Sequence, residues 1–380
     1  MKMDTLVVKG IEAKENPHKA VIPPIYLAST YVQDELGEFQ QYAYARGGNP
    51  TRCAFEDLFA KVEGVKHAFA FASGMAADAA VFNLLKTGDK VILNNNVYGG
   101  TFRYVDGIFK NQGIEYEMVN DLNSLKAEDL VGNVAAIFVE TPSNPLLRVT
   151  DLKHVADIAH QKGVMVIVDN TFMTPYLQNC FDFGADVVLY SATKYIGGHA
   201  DVLAGLVATN DDVLAKRFKF LQKTLGGILS PFDSYSLIRG IKTLSVRMDR
   251  QLENTQKIIK FLQGHEGVAK VHYAGSQSEQ EKALQEKQAR GIGAVISIEL
   301  AEGYNPTTFV KSLELFDLAV SLGGVESLVC QPALMTHESY PVELQEAIGI
   351  TKGLLRLAIG IENGDDLLND LEQALDKAKK

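Results

Sequence analysis

The sequence predicts an α/β protein: a mostly parallel sheet with helices on both sides in a large domain, then a smaller C-terminal α/β domain. Three observations carry this. Between residues 51 and 210, short and nearly continuous apolar runs alternate with helical segments, as strands buried on both faces require. Beyond about residue 235 the pattern changes to one long amphipathic helix followed by alternating segments. The chain has 380 residues, enough for about two domains at roughly 150 residues each.

In chain order, residues 1–50 read as an irregular arm. Pro17, Pro23, Pro24 and Pro50 disfavour long regular elements, and Tyr26, Tyr31, Tyr42 and Tyr44 cluster there. Such an arm is either an interaction segment or packs on its own domain. From 51 to 240 the large domain follows, with strands expected at Ala68–Ala72, Val91–Leu93, Ala135–Val139, Val164–Val168 and Asp186–Leu189. A helix is expected from Leu152 to Lys162, where Leu152, Val155, Ala156 and Ala159 recur at helical spacing. In the C-terminal domain, 241–380, Leu244, Met248, Leu252, Ile259 and Leu262 form the stripe of a long helix. Alternating segments at Ala294–Leu300 and Leu355–Ile361 and a polar helix from Asp365 to Lys379 complete it. Gly275–Gly291, rich in Gln, Glu and Lys, reads as a surface helix or loop.

The composition narrows the function classes. Hydrophobic residues make up 46% and charged residues 22%, the mix of a globular protein rather than a disordered or fibrous one. The net charge is −10, so nucleic acid or an anionic membrane would need a local basic patch. The densest basic run, Lys216, Arg217, Lys219 and Lys223, reads as the solvated side of a helix. Cys53, Cys180 and Cys330 do not make a disulfide framework and fit a reducing compartment. There is no CxxC or HExxH, so no dedicated metal site is expected. The first ten residues hold no long apolar stretch, and every apolar run is too short to span a bilayer. A cytoplasmic protein is expected.

Chemistry concentrates at strand ends. Val166-Ile167-Val168 runs into Asp169, and Val187-Val188-Leu189-Tyr190 into Ser191-Ala192-Thr193-Lys194. Open α/β sheets place ligands at the carboxyl ends of their strands. Asp169 and Lys194 are 25 residues apart, the length of one αβ unit, so neighbouring strands would bring them to one edge. A lysine there suits Schiff-base chemistry, because burial and neighbours can lower its pKa. Taken alone, the pair reads more readily as a solvent-facing lysine and a helix-capping carboxylate. A third element shifts the reading. Ala70-Phe71-Ala72-Ser73-Gly74-Met75-Ala76-Ala77 is a strand, a glycine turn and a helix start, where free N–H groups bind phosphate. Ser191 and Thr193 would add hydroxyl donors. A phosphate cradle, a lysine and a carboxylate together suggest pyridoxal phosphate, held by the lysine at its aldehyde and by the carboxylate at its ring nitrogen.

The string from Ser191 through Lys194-Tyr195-Ile196-Gly197-Gly198-His199-Ala200 to Asp201 resembles the lysine motif of the pyridoxal-phosphate enzymes of cysteine and methionine metabolism. The resemblance extends over nearly the whole chain. It includes Tyr44-Ala45-Arg46-Gly47-Gly48-Asn49-Pro50-Thr51-Arg52, Val97-Tyr98-Gly99-Gly100-Thr101, Glu140-Thr141-Pro142-Ser143-Asn144-Pro145, Ser321-Leu322-Gly323-Gly324-Val325-Glu326-Ser327 and Arg356-Leu357-Ala358-Ile359-Gly360. It implies the fold-type I, aminotransferase-like architecture and a homotetramer of two catalytic dimers.

The resemblance also implies roles. Lys194 matches the lysine that holds the cofactor and shuttles protons, and Asp169 the partner of the pyridine nitrogen. Tyr98 matches the tyrosine stacked on the cofactor ring, which assists proton transfer. Gly74, Met75, Ser191 and Thr193 match phosphate contacts. Tyr44 and Arg46 match residues that reach the phosphate of the neighbouring subunit, which favours the interaction reading of the arm. Asn144 matches a residue near the phenolic oxygen. Arg356 matches the grip on the substrate α-carboxylate, with Ser321 and Thr336 beside it; Leu355 and Leu357 flank Arg356 and leave it on the other face of its strand.

Members of the family differ at a few places. Cystathionine γ-synthases and animal γ-lyases commonly carry Glu before the Ser-Leu-Gly-Gly string, where this chain has Val320. Methionine γ-lyases tend to carry Cys after the stacking tyrosine, where this chain has Gly100. The resemblance therefore implies a cystathionine γ-lyase first and a β-lyase or dual-specificity lyase second. A γ-synthase or an O-acetylhomoserine sulfhydrylase comes after these.

Overall fold

The computed structural model describes residues 1–11 and 18–380. Its contacts divide the chain into two discontinuous units. One is Met1–Lys86 with Asp186–Ser245, the other Thr87–Ala185 with Val246–Lys380.

In the first unit the strand Gly205–Thr209 lies between His67–Phe71 and Val187–Ser191 and is antiparallel to both. The sequence pattern predicts the two outer strands and misses the middle one. Its direction follows from its connection. Ser191 and Gly205 are joined by a turn-rich segment with no helix, and a parallel return needs a crossover, usually helical. Gly205 itself is dictated by packing: a Cβ there would lie 2.2 Å from the Ser73 carbonyl oxygen.

The longer helices of this unit among the described residues are Pro50–Glu63, Gly74–Phe82, Asp212–Leu225 and Pro231–Ile241. Asn49 starts the first by accepting from the amides of Thr51 and Arg52, and Gly64 ends it in the left-handed conformation. Phe59 meets Tyr190 edge to face, and Phe69 lies against Phe218, so aromatic side chains from helices and strands share one core. The arm departs from expectation at its start, where Met3–Lys9 is a short helix that buries Val7. Residues 18–49 have little regular structure, as the prolines predict, and leave Val32, Leu36 and Phe39 fully or almost fully exposed. Pro17 lies outside the described residues.

The second unit holds the parallel strands that the sequence predicts near Val91, Ala135 and Val164, and one that it misses, Glu115–Val119. Lys90–Asn94 pairs with Glu115–Val119 on one side and Val134–Glu140 on the other, and Val134–Glu140 pairs with Met165–Asp169. Leu152–His160 is the helix between the last two, with Asp151 as its cap. A second sheet runs in the order Asp317–Leu318, Leu328–Cys330, Leu354–Ala358, Val295–Leu300, Val268–His272. Only its first pair is parallel. The end of the long helix Leu244–Gln263 and the terminal helix Gly364–Ala378 bury Ile258, Leu262, Leu367, Leu371 and Leu375 with Leu355 and Leu357 of that sheet. Within Gly275–Gly291 the chain forms the helix Glu279–Gln288. Among the described residues, no helix is long and apolar enough to cross a membrane.

Candidate active site

In the first unit the glycine turn and the lysine turn are neighbours. Ser73 caps the helix Gly74–Phe82, its hydroxyl oxygen accepting from the Ala76 amide at 3.1 Å. A Cβ on Gly74 would lie 3.0 Å from the Ser191 Cβ and 3.1 Å from its Oγ, so the two expected phosphate contacts share one spot. The Gly74 and Met75 amides begin a helix and have no carbonyl behind them to bond. They are left for an external acceptor, and an anion at a helix start is favoured by its dipole.

Lys194 follows the strand Val187–Ser191 in a tight turn rather than on the strand itself. Its amide donates to the Ser191 carbonyl at 3.1 Å, and its carbonyl accepts from the Gly198 amide at 2.7 Å. The residue is half-buried. Thr193 braces the same turn, its hydroxyl oxygen accepting from the Ala204 amide at 2.9 Å. Beneath it, a Cβ on Gly240 would lie 2.3 Å from the Gly197 carbonyl oxygen, so the helix Pro231–Ile241 packs directly on the lysine turn. Tyr44 and Arg46 lie on the exposed arm. The Arg46 guanidinium stands 5.5 Å from the centre of the Tyr44 ring and donates to the Lys223 carbonyl at 2.8 Å, near a helix C-terminus.

The other expected residues belong to the second unit. Asp169 ends its strand, and its Oδ1 accepts from the Thr171 amide at 2.9 Å. Burial pushes its carboxyl up to about 6, against Thr171, whose hydroxyl and amide pull it down. Among the described residues, no cation is one of the groups that act on it. A desolvated carboxylate with no positive partner fits a protonated ring nitrogen set against it. Taken each by itself, the first unit's glycine turn suits a phosphate and the second unit's Asp169 suits a protonated ring nitrogen, the two groups that pyridoxal phosphate carries.

Tyr98 is fixed by its backbone. Its amide donates to Glu140 Oε2 at 2.7 Å, and its side chain is 40% exposed. A Cβ on the next residue, Gly99, would lie 2.3 Å from the Thr336 carbonyl oxygen. Ser339 donates to the Gly99 carbonyl at 3.1 Å, and the Tyr340 hydroxyl to that of Val97 at 3.1 Å. The segment Thr336–Tyr340 thus clamps the loop that carries Tyr98.

Arg356 is in the middle of Leu354–Ala358 and 3% exposed. Its Nη1 donates to Asn144 Oδ1 at 3.0 Å and its Nη2 to the Ser321 carbonyl at 2.9 Å, while its Nε has no hydrogen-bond partner among the described residues. Among the described residues it makes no ion pair. Ser321 presents its carbonyl from a left-handed backbone, φ 98°, which is strained for a residue with a Cβ. Val320 beside it is 56% exposed.

The structure therefore brings Arg356, Asn144 and Ser321 together, and links Thr336 to them through His337. His337 and the backbone anchor Glu140 were not foreseen. Both lie in strings with visible signals, Met335-Thr336-His337 and a strand-end Glu, but neither string says which atom each side chain meets.

The chain matches the profile of a protein family described as Cys/Met metabolism PLP-dependent enzyme, over residues 4–376. It is 48% identical over 377 residues to a cystathionine beta-lyase of Lactococcus lactis subsp. cremoris, covering 99% of each chain. It is 45% identical over 377 residues to a cystathionine gamma-lyase of Bacillus subtilis, covering 99% of this chain and 100% of that one. Among solved structures it is similar to cystathionine gamma-lyase from Lactobacillus plantarum complexed with L-serine. That match has a TM-score of 0.96 and 43% identity, and covers 100% of this chain and 99% of that one.

Proposed function

The chain belongs to the Cys/Met metabolism PLP-dependent enzyme family, and from that premise we propose that it is a carbon–sulfur lyase cleaving L-cystathionine by α,γ-elimination. Water is consumed, the Cγ–S bond breaks, and L-cysteine, 2-oxobutanoate and ammonia leave. The observation that best supports an amino-acid substrate is Arg356: buried, without a carboxylate partner among the described residues, and oriented by two neutral acceptors.

Pyridoxal phosphate, when bound, supplies an electron sink for a carbanion at the substrate α-carbon. Lys194 would hold its aldehyde, Asp169 its ring nitrogen, and Tyr98 the face of its ring. Gly74, Met75, Ser191 and Thr193 would hold its phosphate, and Asn144 would lie near its phenolic oxygen. Tyr44 and Arg46 would reach the phosphate in a neighbouring copy of the chain. Arg356 binds the α-carboxylate through paired N–H groups, with Ser321 and Thr336 beside it. The Lys194 amine takes the α-proton, and Lys194 or the Tyr98 hydroxyl returns a proton to the departing sulfur.

A second reading, α,β-elimination to homocysteine, pyruvate and ammonia, alone or beside the first in a dual-specificity lyase, is supported by Val320 to the extent that it leaves the distal end of the substrate unfixed. Exposed and apolar, it offers no charge to hold the distal ammonium of cystathionine in one register. The lactococcal relative carries the name of that activity. Incubation of the pure enzyme with L-cystathionine, with both keto acids quantified, decides. An excess of 2-oxobutanoate supports the first reading, and an excess of pyruvate overturns it.

The proposed assembly is a homotetramer of catalytic dimers in the cytoplasm. The exposed Val32, Leu36 and Phe39 of the arm support association, and light scattering on the eluting protein tests it. The proposed organisation along the chain remains an arm to residue 50, a large domain 51–240 and a C-terminal domain 241–380.

A further inference from the structure

His337 is completely buried, and none of the roles above uses it. Its Nε2 is 3.0 Å from the Asn144 carbonyl oxygen, and its Nδ1 is 3.0 Å from the Thr336 hydroxyl. A carbonyl can only accept, so the hydrogen is on Nε2. With the hydrogen on Nε2, Nδ1 accepts from the Thr336 hydroxyl, and the Val97 carbonyl is a further backbone partner of the ring. The backbone is held as well: the His337 amide donates to the Pro332 carbonyl at 2.9 Å, and Gln345 donates to the His337 carbonyl at 2.9 Å. Burial first, and the Arg356 charge second, push the imidazole down to about 4, so the ring is neutral near pH 7.

Asn144 is the link. Its carbonyl accepts from His337 and its side-chain oxygen accepts from Arg356. A guanidinium surrounded by uncharged acceptors keeps its full charge for an incoming carboxylate. Bidentate capture, however, demands that the plane of the guanidinium be held. Nothing charged holds it among the described residues, so its aim depends on how firmly Asn144 and Ser321 are placed, with the Cys330 thiol as a further contact.

We propose that His337 is a positioning residue for substrate recognition: by fixing the Asn144 peptide and the Thr336 hydroxyl, it sets the plane in which Arg356 meets the substrate carboxylate. This rests on the reading of Arg356 as the carboxylate grip.

The test uses the holoenzyme with His337→Leu, His337→Gln, His337→Asn and Arg356→Ala. Two readouts are taken: KM and kcat for L-cystathionine, and calorimetric affinity for L-alanine against L-alaninamide. With the positioning bonds gone, His337→Leu is expected to raise KM about tenfold, the worth of one net hydrogen bond, with kcat within about twofold. It is also expected to narrow the preference for alanine over its amide about tenfold. Gln places its amide donor near the Nε2 level, whereas the shorter Asn reaches only the Nδ1 level. Gln is therefore expected close to the wild type and Asn close to Leu. This order carries the test even if His337→Leu does not fold. A loss of kcat with KM unchanged, an undiminished preference for alanine, or equal behaviour of Gln and Asn overturns the proposal. Arg356→Ala separates the two levels. If it keeps the preference for alanine, the carboxylate grip itself is wrong. If it abolishes the preference while the His337 variants keep it, only the role of His337 is wrong.

Discussion

Replacing Asp169 by Asn should stabilise the protein when the cofactor is stripped away and weaken it as a holder of the cofactor. The carboxyl is raised from 3.8 to about 6, chiefly by burial. A folded-state pKa above the unfolded one means that the folded state binds the proton more tightly. The resulting stability is complete below the unfolded value and is lost as pH rises through about 6. At about pH 8 the folded, cofactor-free protein therefore carries an ionised carboxylate at a penalty of about 3 kcal/mol, the product of about two pKa units and the energy of each. Solvent reaching the half-buried residue makes that figure a ceiling. Asn has the shape of the protonated acid, keeps an oxygen for the Thr171 amide, and carries no charge. Urea unfolding of the stripped variant should show a gain approaching about 3 kcal/mol at about pH 8, shrinking to about 1 kcal/mol at about pH 4.5. Cofactor affinity should move the other way, because the ring nitrogen loses its anion. A variant less stable than the wild type at about pH 8, or a gain independent of pH, would show that burial does not control this carboxyl.

Three further outcomes follow from the geometry. Lys194→Ala should reduce turnover by at least about 10³-fold, and borohydride reduction of the unmodified enzyme should place the cofactor mass on the peptide containing residue 194; a label elsewhere refutes the assignment. Gly205→Ala puts a methyl group 2.2 Å from a backbone oxygen that cannot rotate away. It should cost about 1–3 kcal/mol in urea unfolding and speed cofactor loss, because the displaced atom belongs to Ser73. Val320→Glu adds an exposed charge of the kind worth up to about 1 kcal/mol. The KM for L-cystathionine should fall a few-fold, and an unchanged KM would place residue 320 away from the distal ammonium.

How much of this could be read in advance varies with the kind of information. The strands ending at Asp169 and Ser191 were legible because burial on both faces writes itself as an unbroken apolar run. The middle strand Gly205–Thr209 has the same character but was not read. It follows a turn-rich stretch, and its antiparallel direction is set by that connection rather than by its own residues. Arg356 was legible as the odd polar residue between two leucines, since strand alternation alone turns it away from the core. Its orientation was not legible. That depends on the carbonyl of Ser321, 35 residues earlier in the chain, and on Asn144, 212 residues earlier. Glu140 and His337 were missed for the same reason. Each acts on the backbone of a residue distant in sequence, and a side chain bonded to a remote peptide leaves no periodic trace.

The attachment of Tyr98 has a consequence for motion. Its amide is tied to Glu140, Gly99 is wedged beneath the Thr336 carbonyl, and the preceding carbonyl is held by Tyr340, yet the ring is 40% exposed. Such a residue behaves as a paddle on a fixed axle. Its freedom is confined to two side-chain torsions, which relax in picoseconds to nanoseconds, whereas loop rearrangements are slower. Small molecules passing the ring would then wait on a rotamer, not on a moving loop. Ring librations should be visible in relaxation of the aromatic carbons while the backbone amides of residues 97–99 stay rigid.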